Sequence, residues 1–145
     1  MKALSERRKD MKKLSAVLLA STLSLSLFTF GEKPVQADTI VKHGKISWYS
    51  GLGRVGGDRK VITENDCAVD ESEKYLKGGT RIIVKNLNNG KSLTLQKWDW
   101  GNFKHLGVIV DVTKPAYLKL GGSLKEGRIN NGRTERYGGM AITPN

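Results

Sequence analysis

The stretch TRIIVKNLNNGKSLTLQKW, Thr80 to Trp98, narrows most what this chain can fold into. Two runs rich in β-branched and aliphatic residues flank an Asn-Asn-Gly, the pattern of a β-hairpin. Asn89-Gly90 suits a two-residue turn in which both positions take positive φ. Other strand-like runs accompany it, punctuated by Gly and Asn. KISWYSG, Lys45 to Gly51, alternates well enough for a strand, and GVIVDV, Gly107 to Val112, reads as a fully buried one closed by Lys114-Pro115. TKPAYLKLGG gives one short helix, with Thr113 as its cap, Pro115 in the first turn and Gly121 in the left-handed conformation that ends it. GLGRVGGDRKVITENDCAVDESEKYLKGG reads as a long loop with little regular structure, of the kind that often carries function. The final INNGRTERYGGMAITPN is more polar than a closing strand should be.

The N-terminus reads as an export signal. Met1 to Lys13 holds six Lys or Arg against two acids, and Leu14 to Phe30 is uncharged, with six Ser or Thr among its seventeen residues. Val35 and Ala37 offer the small-residue cleavage pattern, which divides the chain into a signal peptide over 1–37 and a domain over 38–145. Met11 opens an equally complete signal. The apolar run is at the short limit for a membrane span, so no stable anchor is expected after cleavage.

Asp38 to Asn145 carries 18 Lys or Arg against 11 Asp or Glu, a net charge of +7. Such a balance attracts polyanions. For an exported protein these are cell-wall polymers and lipid head groups rather than nucleic acid. Cys67 stands alone, so no intrachain disulfide is available, and DCAV offers no basic neighbour to activate the thiol; it reads as a small buried hydrophobe. Two separated histidines, His43 and His105, and one Cys make no zinc pattern. GLGRVGG lacks the Lys-Ser/Thr of a phosphate loop. No metal and no cofactor are expected.

GKISWYSG, GTRIIVKNLNNGKSLTL, WDWGNF, VIVDVTKPAYLKLGG and LKEGRI follow one another in the order and approximate spacing of the RlpA-like double-psi β-barrel domain. The resemblance covers about Gly44 to Ile129, and the domain is shared with bacterial expansins and barwin-like proteins. It implies a mainly β fold: a six-stranded double-psi barrel with one or two short helices, preceded by the signal peptide. It further implies a groove that holds polysaccharide and action on cell walls; with the export signal, a secreted, wall-associated monomer is expected. Asp99 matches the acid of the family's D-x-G-x-F segment, Asp111 the acid of a later strand, and Ser47 a hydroxyl residue facing the same groove.

Chemistry supports the two acids separately. Cleaving a glycosidic bond requires a proton on the leaving oxygen, and a carboxyl raised by burial and a like-charged neighbour can deliver it near neutral pH. If Asp99 and Asp111 share a groove, each disfavours ionisation of the other. A lytic transglycosylase needs only one such acid/base, because the sugar's own 6-hydroxyl attacks and leaves a 1,6-anhydro end. Trp98, Trp100, Tyr49 and Trp48 offer faces for stacking on pyranose rings, although strand alternation puts Trp98 and Trp100 on one face and Asp99 on the other.

The family's loop His is missing: VITENDCAV places Cys67 near its position, and no His lies between Gly44 and Phe103. Two readings of different classes stay open. One is an endolytic peptidoglycan lytic transglycosylase with Asp99 or Asp111 as acid; the other is a non-catalytic, expansin-like wall-binding module. A barrel serving a protein partner is a third.

Overall fold

The computed structural model describes residues 38–138; the expected signal peptide and residues 139–145 lie outside them. Six strands close into a barrel in the order β1-β5-β2-β4-β3-β6. They are β1 Asp38–Tyr49, β2 Asp66–Asp70, β3 Thr80–Asn86, β4 Ser92–Gly101, β5 Val108–Thr113 and β6 Arg128–Gly138. β1 runs parallel to β5 and β2 parallel to β4, and the remaining neighbours are antiparallel. Every strand thus has two neighbours in the ring, although Asp38–Gly44 of β1 pair only with β6. Ile46, Val69, Val84, Leu95, Val110 and Val112 point inward and pack with Tyr117 and Leu120.

The helix, α1 Lys114–Lys119, is as expected in its Pro115 and in Gly121, whose φ is +80. Thr113 precedes it without capping it. Its fully buried hydroxyl instead reaches the Glu64 carbonyl at 3.4 Å.

The hairpin forms, but its two-residue turn does not. Lys85 pairs with Ser92, the Asn86 N–H donates to the Lys91 carbonyl, and the Gly90 N–H donates to the Asn86 carbonyl at 2.8 Å. The loop is therefore Leu87 to Gly90, and only Gly90 takes positive φ, at +76. Tertiary contact explains the longer form: the amides of Asn86 and Asn89 both donate to the Leu120 carbonyl, at 2.9 and 3.0 Å, and satisfy the end of α1.

The long loop contains a strand the sequence hid. All five residues of β2 are buried, Cys67 among them, which burial also pushes to a high pKa. DCAVD looks polar because acids bound it, yet both acids are consumed internally. Asp66 accepts from Lys60 and from the Thr63 N–H and hydroxyl. Asp70 accepts from the N–H and hydroxyl of Ser72 and from the N–H groups of Phe103 and Lys104. Burial works against its ionisation, but these hydrogen bonds outweigh it and hold the carboxyl well below its ordinary value.

Asp70 thus staples the turn between β4 and β5. Asp70→Ala should destabilise the barrel by about 2 kcal/mol, the loss of hydrogen bonds to a charged acceptor. A depressed carboxyl stabilises the fold above its unfolded pKa and loses that contribution as pH falls toward the folded one. The difference in melting temperature from wild type should be full at pH 6 and shrink below about pH 4.

GVIVDV is half-buried rather than fully so: Val108, Val110 and Val112 are covered while Ile109 and Asp111 are partly exposed. The polar C-terminal segment does close the barrel, as β6 between β1 and β3. Ile129, Gly132 and Thr134 are buried, and its charged residues are partly exposed, Arg136 pairing with Glu73.

Candidate functional site

Four residues on adjacent strands fall into one row. Ser47 of β1 is opposite Asp111 of β5, Asp111 is opposite Ala68 of β2, and Ala68 is opposite Asp99 of β4. Ile46, Cys67, Val110 and Val112 belong to the inward face, so the row lies on the other one. Its two carboxylates are two strand spacings apart, about 10 Å between Cα atoms. Ala68 between them is buried in a small cluster with Phe103 and Val108, against which Tyr49 packs.

A break in strand register turns Asp99 into this row. Cys67 is opposite Lys97 and Ala68 opposite Asp99, so Trp98 is the extra residue of a β-bulge. Such a bulge re-aims the side chains that follow it. Strict alternation from buried Lys97 would have sent Asp99 inward. The expected opposition to Asp99 is therefore lost for Trp98, at the bulge, whereas Trp100, opposite Val69, still alternates with Asp99.

Asp111 is held by the Ser47 hydroxyl, which donates to Oδ1 at 2.8 Å. Burial lifts its carboxyl to about 6 in spite of that bond, and the charge of Asp99 adds to the rise. Asp99 Oδ1 accepts from the N–H groups of Gly57 at 2.8 Å and Trp100 at 2.9 Å. Tyr49 completes the cluster. Its buried hydroxyl makes no hydrogen bond among the described residues, and burial, followed by the nearby Asp99 carboxylate, pushes the phenol far above its ordinary value.

The glycine-rich run forms the wall beside Asp99. A Cβ on Gly51 would collide with the Tyr49 ring, one on Gly56 would lie 2.6 Å from the Trp98 carbonyl, and one on Gly57 would collide with Trp100 Nε1. Only glycine at 56 and 57 lets the loop approach β4 so closely, and Gly51 lets it turn against Tyr49 of β1.

That loop is tied down by Lys97, which the sequence reading overlooked. Its side chain is fully buried; Nζ donates to Asp58 at 2.6 Å and to the Lys74 and Leu76 carbonyls, both at 2.9 Å. Lys97 is buried on the same face of β4 as Leu95, which no local feature of the sequence marks as the inward one.

The tryptophans separate. Trp100 is 39% exposed and lies against Gly57, beside Asp99. Trp98 packs on Gly78 and Gly79 with Lys60 5.3 Å from its ring centre. Trp48 turns away from the row and packs with Tyr117, ring centres 6.4 Å apart, so it serves the core. Among the described residues no group of acids, His and Cys is arranged to hold a metal ion, and no helix is long and apolar enough to cross a membrane.

No protein-family model matches the chain. The uncharacterised protein YdjM of Bacillus subtilis is 29% identical over 119 residues, covering 80% of this chain and 94% of that one. The apo expansin of Clavibacter michiganensis superposes with a TM-score of 0.55 at 21% identity over 70% of this chain. A mutant of that expansin in complex with cellohexaose gives 0.48 at 19% identity over 72% of this chain and 54% of its own. The chain spans about half, 53%, of the apo expansin's length. The likeness establishes the fold: an expansin-type double-psi β-barrel.

Proposed function

We propose, starting from a barrel of the expansin fold, that this is an exported cell-wall protein that binds a glycan strand across the row of Asp99, Ala68, Asp111 and Ser47. We further propose that it cleaves peptidoglycan there as an endolytic lytic transglycosylase. The observation that carries the reading is Asp111, a half-buried carboxyl raised to about 6 and oriented by Ser47. A proton donor of that strength is matched to work near neutral pH.

In this scheme protonated Asp111 gives its proton to the glycosidic oxygen as the C1–O bond breaks. The sugar's 6-hydroxyl then closes on C1 and returns its proton to the Asp111 carboxylate. Asp99, an acceptor fixed by two backbone N–H groups, holds substrate hydroxyls and the developing positive charge. Tyr49 packs beside the two acids, and Trp100 offers an exposed ring at the rim.

A non-catalytic expansin-like module is the second reading. Asp99 favours it, because a fixed acceptor can hold a sugar without any chemistry, and the +7 charge suits an anionic wall polymer.

The test is incubation of the Asp38–Asn145 protein with purified peptidoglycan, followed by mass spectrometry for 1,6-anhydromuramyl ends beside Asp99→Asn and Asp111→Asn. Anhydro products abolished by Asp111→Asn support the enzyme. Wall binding without products, weakened by salt because exposed charges are screened within about 8 to 10 Å, supports the module.

A further inference from the structure

We infer that Tyr75, Lys74 and Trp100 form an additional sugar subsite that extends the groove past Asp99 and takes a pyranose bearing a carboxylate. The inference rests on the glycan-binding reading. Tyr75 is 87% exposed, so its ring serves no core. Lys74 Nζ lies 5.3 Å from the Tyr75 ring centre and 5.5 Å from that of Trp100, so one ammonium bridges two exposed aromatic faces. Trp100 in turn lies against Gly57, whose N–H holds Asp99. The shelf is therefore continuous with the proposed groove.

Rigidity separates this shelf from an ordinary exposed tyrosine. The residues on either side of Tyr75 are Lys74 and Leu76, and both carbonyls accept from the fully buried Lys97 ammonium. The ring is thus presented on a turn bolted to the barrel interior. An aromatic face held in place stacks on a pyranose with little ordering entropy to lose. Lys74, between the rings, places a cation where the acidic substituent of a muramyl residue would reach. Among the described residues its one acidic partner, Glu71, is loose at 3.8 Å and half exposed.

The experiment is calorimetric titration of the Asp38–Asn145 protein, whose barrel closes entirely within residues 38–138. The probes are peptide-free peptidoglycan fragments of two, four and eight sugars, with chitin oligomers of matching length, which lack the carboxylate. Wild-type affinity should grow with length. Tyr75→Ala should weaken the eight-sugar fragment about tenfold, the scale of one aromatic stack, with Tyr75→Phe restoring it and the disaccharide unaffected. Lys74→Met should weaken the long peptidoglycan fragment and leave the chitin oligomer unchanged.

Equal affinity of Tyr75→Ala and wild type at every length overturns the subsite and leaves the groove standing. A Lys74→Met effect on both polymers, or on neither, overturns its preference for an acidic sugar. No binding by wild type removes the subsite and the glycan-binding reading together. Melting temperatures should match wild type for each variant, since both side chains are on the surface.

Discussion

Replacing Lys97 with alanine should be the most damaging single change in the barrel, lowering stability by about 3 kcal/mol or more. The ammonium is fully buried and fully bonded, to one carboxylate and two carbonyls. Removing it leaves Asp58 without its counter-ion, two carbonyls without a donor, and a void where a four-carbon stem packed. Breaking a buried ion pair from one side typically costs about 3 to 5 kcal/mol. Asp58 retains some access to water, with 23% of its side chain exposed, which places the expectation at the low end. For a domain of this size that corresponds to a fall in melting temperature of roughly 15 °C.

Lys97→Met keeps the volume and should recover part of the loss. The double variant Lys97→Met with Asp58→Ala should be less than additive, because the two residues share one interaction. Thermal denaturation of wild type, Lys97→Ala, Lys97→Met, Asp58→Ala and the double variant decides it. A Lys97→Ala protein within about 1 kcal/mol of wild type would mean that the ammonium does not brace the two loops.

Asp111→Asn should raise the melting temperature at pH 7.5, although it is expected to abolish glycan cleavage. The folded carboxyl titrates at about 6, above its ordinary value near 4. A raised carboxyl binds its proton more tightly in the folded protein, so its contribution is fully present below about pH 4. That contribution is lost as pH rises through 6, where the fold must carry a poorly solvated charge. Full ionisation costs up to about 3 kcal/mol at 1.36 kcal/mol per pKa unit, and rather less once water reaches the open face.

Asparagine removes the charge and keeps the oxygen that accepts from Ser47. The melting-temperature difference should therefore be several degrees at pH 7.5 and vanish at pH 4, the reverse of the dependence expected for Asp70→Ala. An Asp111→Asn protein equal to or less stable than wild type at pH 7.5 would show that the carboxylate is not strained there. It would also remove the main support for Asp111 as a proton donor.

Both changes concern residues whose importance reads differently in sequence and in structure. Asp111 could be picked out in the sequence because an acid inside an apolar strand needs a task. Lys97 could not, because a lysine next to Trp98 resembles any exposed cation until Leu95 and the loops around it are seen to bury it. Asp70 was likewise lost in a polar-looking stretch. Its role depends on the backbone of Phe103 and Lys104, more than thirty residues away.

The sequence by itself determined the hairpin, the β5 run, the helix with its Pro115 and Gly121 punctuation, and the barrel class. The first three rest on local periodicity and on residues with restricted or permissive φ, whereas the barrel class rests on the resemblance of the ordered motifs to the RlpA-like domain. Only the tertiary structure decided which acids meet. The bulge at Trp98 sets the face on which Asp99 stands, and the strand order β1-β5-β2-β4 brings Ser47, Asp111, Ala68 and Asp99 into one row. Neither the bulge nor a parallel pairing leaves a mark in local spacing, because both arise from how distant strands must align to close the barrel. The four-residue hairpin loop is a second instance: Asn86 and Asn89 look like turn residues, but the Leu120 carbonyl they must satisfy dictates the turn they make.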